Sequence, residues 1–152
     1  MLARISFPRS SAIALTLIAL GTFSACGDDD PVAPDEEPEI GSVRLTVAGT
    51  SVTVSTTQSP TLTVASGTNA VTAEWFKPDG AVETIVTDAE FELRIAQASG
   101  TGTLTWTPTG ARGGTLVVTG LAAGASAPAK VSLFHKAEQH TEVDLNFTVR
   151  VP

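Results

Sequence analysis

Val143-Asp-Leu-Asn-Phe-Thr-Val-Arg-Val151 sets five apolar residues at alternate positions with four polar ones between them. A repeat of two brings all five apolar side chains to one side of an extended chain. In a helix of about 3.6 residues per turn the same residues would scatter around the axis. The stretch is therefore expected to be a strand with one buried and one wetted face. Shorter copies of the pattern precede it: Val43-Arg-Leu-Thr-Val47, Thr61-Leu-Thr-Val64, Phe91-Glu-Leu-Arg-Ile95 and Thr103-Leu-Thr-Trp106. Turn residues interrupt these runs at roughly the 8–12-residue spacing of a sandwich.

Two local readings extend the pattern. Lys77-Pro-Asp-Gly80, between Trp75-Phe76 and Ala81-Val82, reads as a hairpin turn, because Pro presets φ and Gly accepts a positive φ. Asp88-Ala-Glu-Phe-Glu-Leu-Arg-Ile-Ala-Gln-Ala98 holds good helix formers behind an Asp placed as a cap would be. Its Phe91, Leu93 and Ile95 nevertheless alternate, so a sheet buries all three on one side and strand is the expectation. The result is an all-β sandwich of about seven to nine strands over residues 41–152, with Trp75, Trp106, Phe76, Phe91, Phe134 and Phe147 as its heavy packing groups.

The N-terminus is organised differently. Arg4 and Arg9 precede the apolar run Ala12–Leu20, and small residues lead to Cys26, the only cysteine. This is the three-part layout of a secretory signal, and the run is about half the ~20 residues needed to span a bilayer. Phe23-Ser-Ala-Cys26 resembles the lipobox of bacterial lipoproteins, with Phe23 where Leu is usual. The resemblance implies cleavage after residue 25 and acylation of Cys26, whose chains anchor by burying methylenes at ~0.8 kcal/mol each. Gly27 stands where Asp would imply retention at the inner membrane, so the resemblance implies a cell-envelope address at the outer membrane. Residues 26–40 then read as the lipidated cysteine and a disordered tether, since positions 27 to 39 carry seven acids and three prolines.

Charge narrows the partners. Losing Arg4 and Arg9 with the leader takes the formal charge from −7 to −9, and setting aside the seven tether acids leaves −2 on the folded part. Neither a basic patch for nucleic acid nor a basic face for anionic lipid is expected, so the membrane is reached through Cys26 alone. With two tryptophans, six phenylalanines and no tyrosine, no aromatic stripe is available for stacking sugars or bases.

Trp106-Thr-Pro-Thr-Gly-Ala-Arg-Gly-Gly-Thr-Leu-Val-Val-Thr-Gly-Leu-Ala-Ala-Gly124, with the alternating run and terminal Val-Arg-Val after it, resembles the second half of bacterial immunoglobulin-like group 2 domains. The first half is similar more loosely, through a Trp strand followed by a Pro-Asp-Gly turn. The resemblance implies an immunoglobulin-like β-sandwich used as a spacer or adhesion module and not as an enzyme.

Chemistry concentrates in the last hairpin, Val131-Ser-Leu-Phe-His-Lys-Ala-Glu-Gln-His-Thr-Glu-Val-Asp-Leu145, which contains both histidines of the chain. If the strand from Val131 runs on in register, His135 shares a face with Val131 and Leu133 near the strand's end. The chain returns through His140, so the two imidazoles can approach across the hairpin mouth. With one of Glu138, Glu142 or Asp144 they form a ligand set suited to zinc or copper. The competing reading is a solvated polar hairpin with one histidine half-buried, since His-x4-His is not a distinctive metal spacing. No catalytic residue is assigned. No Gly-x-Ser-x-Gly elbow or phosphate-cradling loop occurs, and Glu90 and Glu92 are expected to face solvent. The sequence thus leads first to a non-catalytic envelope lipoprotein working by contact with an envelope protein partner, and second to a metal-binding lipoprotein.

Overall fold

The computed structural model describes residues 37–152; the leader, Cys26 and most of the tether lie outside them. Among the described residues there is no helix. Nine strands form instead: β1 (Ser42–Val47), β2 (Thr50–Ser55), β3 (Thr61–Thr63), β4 (Gly67–Phe76), β5 (Phe91–Gln97), β6 (Thr103–Gly110), β7 (Gly113–Thr119), β8 (Ser126–His135) and β9 (His140–Arg150). They make two sheets, β2-β1-β4-β7-β6 and β3-β9-β8-β5, antiparallel throughout except for the parallel pair β3 and β9. The all-β expectation and the strand number both hold.

Alternation decides which face each strand buries. In β9, Leu145, Phe147, Val149 and the following Val151 are buried, and Asp144, Asn146 and Arg150 are exposed. Val43, Leu45 and Val47 of β1 and Phe91, Leu93 and Ile95 of β5 do the same, and all join one core between the sheets. Burying the three β5 side chains together is worth ~1.5–3 kcal/mol each, which outweighs the helix propensity of their neighbours. The Asp88 that could have capped a helix instead accepts a hydrogen bond from the Ala111 backbone N–H at 2.6 Å. Trp75 is wholly buried, and its indole N–H donates to the Ala111 carbonyl at 2.7 Å.

Not every heavy group lies inside. Phe76 follows Trp75 and so points the other way, half-buried beneath the Arg44 guanidinium at 5.2 Å. Phe134 is buried, but outside the main core cluster, beneath Arg94 at 3.3 Å. Trp106 is half-buried at the sandwich edge, donating to the Leu93 carbonyl at 2.7 Å. Lys77–Gly80 forms the expected turn, with Gly80 N–H bonded to the Lys77 carbonyl and φ of 88°, though Val82 contributes only an isolated bridge to Phe76. The folded body also takes in Pro38, which is buried, and Ile40, which packs on the core, so the last residues assigned to the tether lie against the domain.

The β1–β2 hairpin turns on Ala48 and Gly49, with φ of 48° and 81°. Positive φ at both central positions belongs to a type I′ turn, where Asn is far better tolerated than Ala. Ala48→Asn is expected to stabilise the domain by about 0.5–1 kcal/mol, read as a higher urea midpoint at unchanged slope.

Candidate metal centre at the last hairpin

Strand register assembles this site. Phe91 of β5 pairs with His135 of β8, and His135 pairs with His140 of β9, so one row crosses three strands at the end of the four-stranded sheet. Phe91 is buried and its ring stacks on His135 with centroids 4.6 Å apart, which fixes the imidazole against the core. The two imidazoles meet edge to face at 5.7 Å. His135 is therefore on the face expected from Val131 and Leu133.

A β-bulge supplies what simple alternation would not. Leu133 pairs with Val143 but Phe134 pairs with Thr141, leaving Glu142 as an extra residue on β9. In an unbroken strand Glu142 would face outward with Asp144, and His140 would lie on the outer face too. The inserted residue shifts the phase, so His140 returns to the face of His135, and Glu142 turns inward with its side chain only 8% exposed. Re-aiming a side chain in this way is a recurring use of bulges.

The donor atoms converge. Glu142 Oε1 lies 3.3 Å from His135 Nδ1 and 2.9 Å from His140 Nε2, and one donor atom from each of the three residues falls within 4.8 Å of the others. His135 is 12% exposed and His140 41% exposed, so the cluster is closed toward the core and open toward the loop. Although they are close, His135 Nδ1 and Glu142 Oε1 are both buried without a hydrogen-bond partner. A buried polar atom left without a partner costs about 1–3 kcal/mol, and a cation facing both atoms would satisfy them together. Donor atoms that lie close together without hydrogen-bonding are arranged as ligands around a common centre are. Tetrahedral zinc with bonds of ~2.0–2.2 Å holds its ligand atoms roughly 3.3–3.5 Å apart, a spacing small side-chain rotations reach from here.

The two other acids suggested by the sequence separate. Glu138 Oε2 sits 3.2 Å from His140 Nδ1 and 3.7 Å from His135 Nδ1, on the exposed loop. It is thus placed behind His140 as a carboxylate that orients a ligating imidazole. Asp144 is not at the site: it is exposed on the outer face, where Ser132 Oγ donates to it at 2.5 Å and Lys130 Nζ lies 3.6 Å away. Alternation alone could have excluded Asp144, since it falls between Val143 and Leu145. Nothing in the residue pattern signals the bulge that recruits Glu142, nor the stacking of Phe91.

The surrounding loops are braced from behind. The Lys136 N–H donates to the Glu90 carbonyl at 2.8 Å, and Lys136 Nζ donates to the Asp88 carbonyl. The four-residue loop closes through Gln139, which adopts a φ of 57°. Glu90 and Glu92 stand apart from the histidines, engaged with Thr87 Oγ1 and Arg94 respectively. Among the described residues Glu83 is also held inside the fold, 1% exposed; its Oε1 accepts from Ile85 N–H and Lys77 Nζ lies 3.8 Å from Oε2. That carboxylate is partnered and has a structural role.

Compared with known families, curated proteins and solved structures, the chain matches no family model, no curated protein and no solved structure.

Proposed function

We propose that the protein is an exported lipoprotein, anchored through an acylated Cys26, whose immunoglobulin-like sandwich binds a zinc or copper ion through His135, His140 and Glu142. The observation that carries the metal reading is the convergence of two imidazole nitrogens and a carboxylate oxygen on a spot where two of the three are buried without partners. Neutral imidazole with carboxylate is a borderline donor set that suits these ions and suits calcium or magnesium poorly. The export and anchoring reading rests on the leader layout and on Phe23-Ser-Ala-Cys26.

Strand order supports the immunoglobulin-like reading. The run β1-β4-β7-β6 follows the A-B-E-D order of one immunoglobulin sheet, and β9-β8-β5 follows the G-F-C order of the other. On this reading the ion sits at the end of the sandwich, where the F–G hairpin carries the binding loop. Loops at the ends of such sandwiches are where the architecture places recognition. The module is read as binding and not turning over a substrate, in an envelope location that gives it access to exchangeable metal.

Calorimetric titration of the tag-free mature chain in detergent, with zinc and with copper at neutral pH, tests the proposal. One ion is expected to bind per chain, with the heat abolished in a His135→Ala, His140→Ala double variant. Equal heats from both proteins would assign the binding to the acidic tether and overturn the reading.

A further inference from the structure

The three donors leave one side of the cluster uncovered. Phe91 closes the side toward the core by stacking on His135, and Glu142 lies beneath with its side chain almost wholly buried. Toward the hairpin loop, His140 and Glu138 are each 41% exposed. Glu138 is the nearest candidate for a fourth ligand, its Oε2 lying 3.7 Å from His135 Nδ1, but its shorter contact, 3.2 Å, is with His140 Nδ1, on the far side of that ring from the Nε2 that faces Glu142, and it falls outside the converging group of His135, His140 and Glu142. A carboxylate at the far nitrogen of a ligating imidazole fixes its tautomer and orientation, which is the role its shorter contact gives Glu138. Asp144, the other nearby acid, is occupied on the opposite face by Ser132 and Lys130.

We infer that an ion held here keeps one coordination position open toward the loop, and that this position accepts a single carboxylate or imidazole donor from outside the chain. The inference rests on the metal reading of the same three residues and adds to it the chemistry of what is bound. Three protein ligands with a fourth position left to an exchangeable donor is the arrangement of open zinc sites, whereas closed structural sites use four protein ligands. An acidic or histidine-bearing segment of an envelope partner would then be gripped through the ion. This gives the sandwich a specific means of contact where, among the described residues, Val82 is the one large hydrophobic side chain that is exposed.

Cobalt reports the coordination number directly through its visible bands. The mature chain in detergent is loaded with one equivalent of cobalt and titrated with azide, standing for an anionic donor, and separately with imidazole, standing for a histidine side chain. Filtration checks at each step that cobalt stays on the protein. The expected result is a saturable shift of the bands with each probe, one probe per cobalt, in the wild-type chain. Cobalt bands that neither probe moves would mean a closed shell and overturn the inference while sparing the metal reading. A shift seen only in Glu138→Ala would make Glu138 the fourth ligand and likewise overturn it. Absence of any bands in the wild-type chain would bring down both.

Discussion

Glutamine in place of Glu142 is expected to weaken metal binding about 100-fold without weakening the fold. The carboxylate is one of three ligands, and a structural zinc contributes about 10–16 kcal/mol through four, so one ligand accounts for roughly 3 kcal/mol, or about 100-fold in affinity. The metal-free protein should respond in the opposite sense. Without the ion, Glu142 Oε1 is buried beside two imidazoles but makes no hydrogen bond, and a buried carboxylate held this way is costly. Making the group neutral at nearly constant shape is expected to leave stability unchanged or raise it by up to ~2 kcal/mol. Urea unfolding of both proteins, in chelator and in excess zinc, separates the effects. Zinc should raise the wild-type midpoint, because an ion that binds the native state alone stabilises it. At the same free zinc, the rise should be up to about 3 kcal/mol smaller in Glu142→Gln, whose midpoint in chelator should equal or exceed the wild-type value. A variant more than about 1 kcal/mol less stable in chelator would show that Glu142 serves the fold and not a ligand.

The largest loss of stability is expected at Trp75. Its side chain is wholly buried between the sheets, and its indole N–H satisfies the Ala111 carbonyl in the β6–β7 connection. Trp75→Ala removes the greater part of a large core side chain, worth about 3–5 kcal/mol, and leaves a buried carbonyl without its donor, for about 1–3 kcal/mol more. Domains of this size have total stabilities of only ~5–15 kcal/mol, so the variant should be largely unfolded or melt far below the wild type. Trp75→Phe keeps most of the volume but loses the same hydrogen bond, and should fall between. Circular dichroism during urea unfolding reads the order; a Trp75→Ala protein within about 1 kcal/mol of the wild type would contradict the placement of this residue at the core.

These contrasting cases show what the residues alone could convey. Alternation in β9, β1 and β5 was enough to define both the sheet class and the buried face, because a sheet packed on one side imposes a repeat of two on every strand it contains. It was also enough to set His135 beside Val131 and Leu133. Strand β2 was not legible: it lies at a sheet edge with only Val54 fully buried, so no alternation is demanded of it. The turn at Ala48 and Gly49 was likewise hidden, since its Ala lacks the Asn that normally marks a type I′ hairpin. Phe76 lies on the face opposite Trp75, as its adjacent position on β4 dictates, and residue size alone does not convey this.

The site was half legible for the same reasons. Two histidines flanking a short loop at a strand end can be brought together by any antiparallel hairpin, so their approach followed from position. The choice among Glu138, Glu142 and Asp144 did not. One inserted residue at Glu142 reverses the facing of everything before it on β9, and a bulge lacking glycine leaves no compositional trace. The same displacement separates the acids into a ligand, a neighbour that orients His140, and a surface residue.

Nitrogen NMR of the imidazoles during zinc addition tests the metal centre most directly, because it names the ligating atoms one by one. With one equivalent of zinc, His135 is predicted to show metal-bound Nδ1 and His140 metal-bound Nε2, the two nitrogens that face Glu142. Imidazole resonances that stay in place throughout the titration would contradict the account.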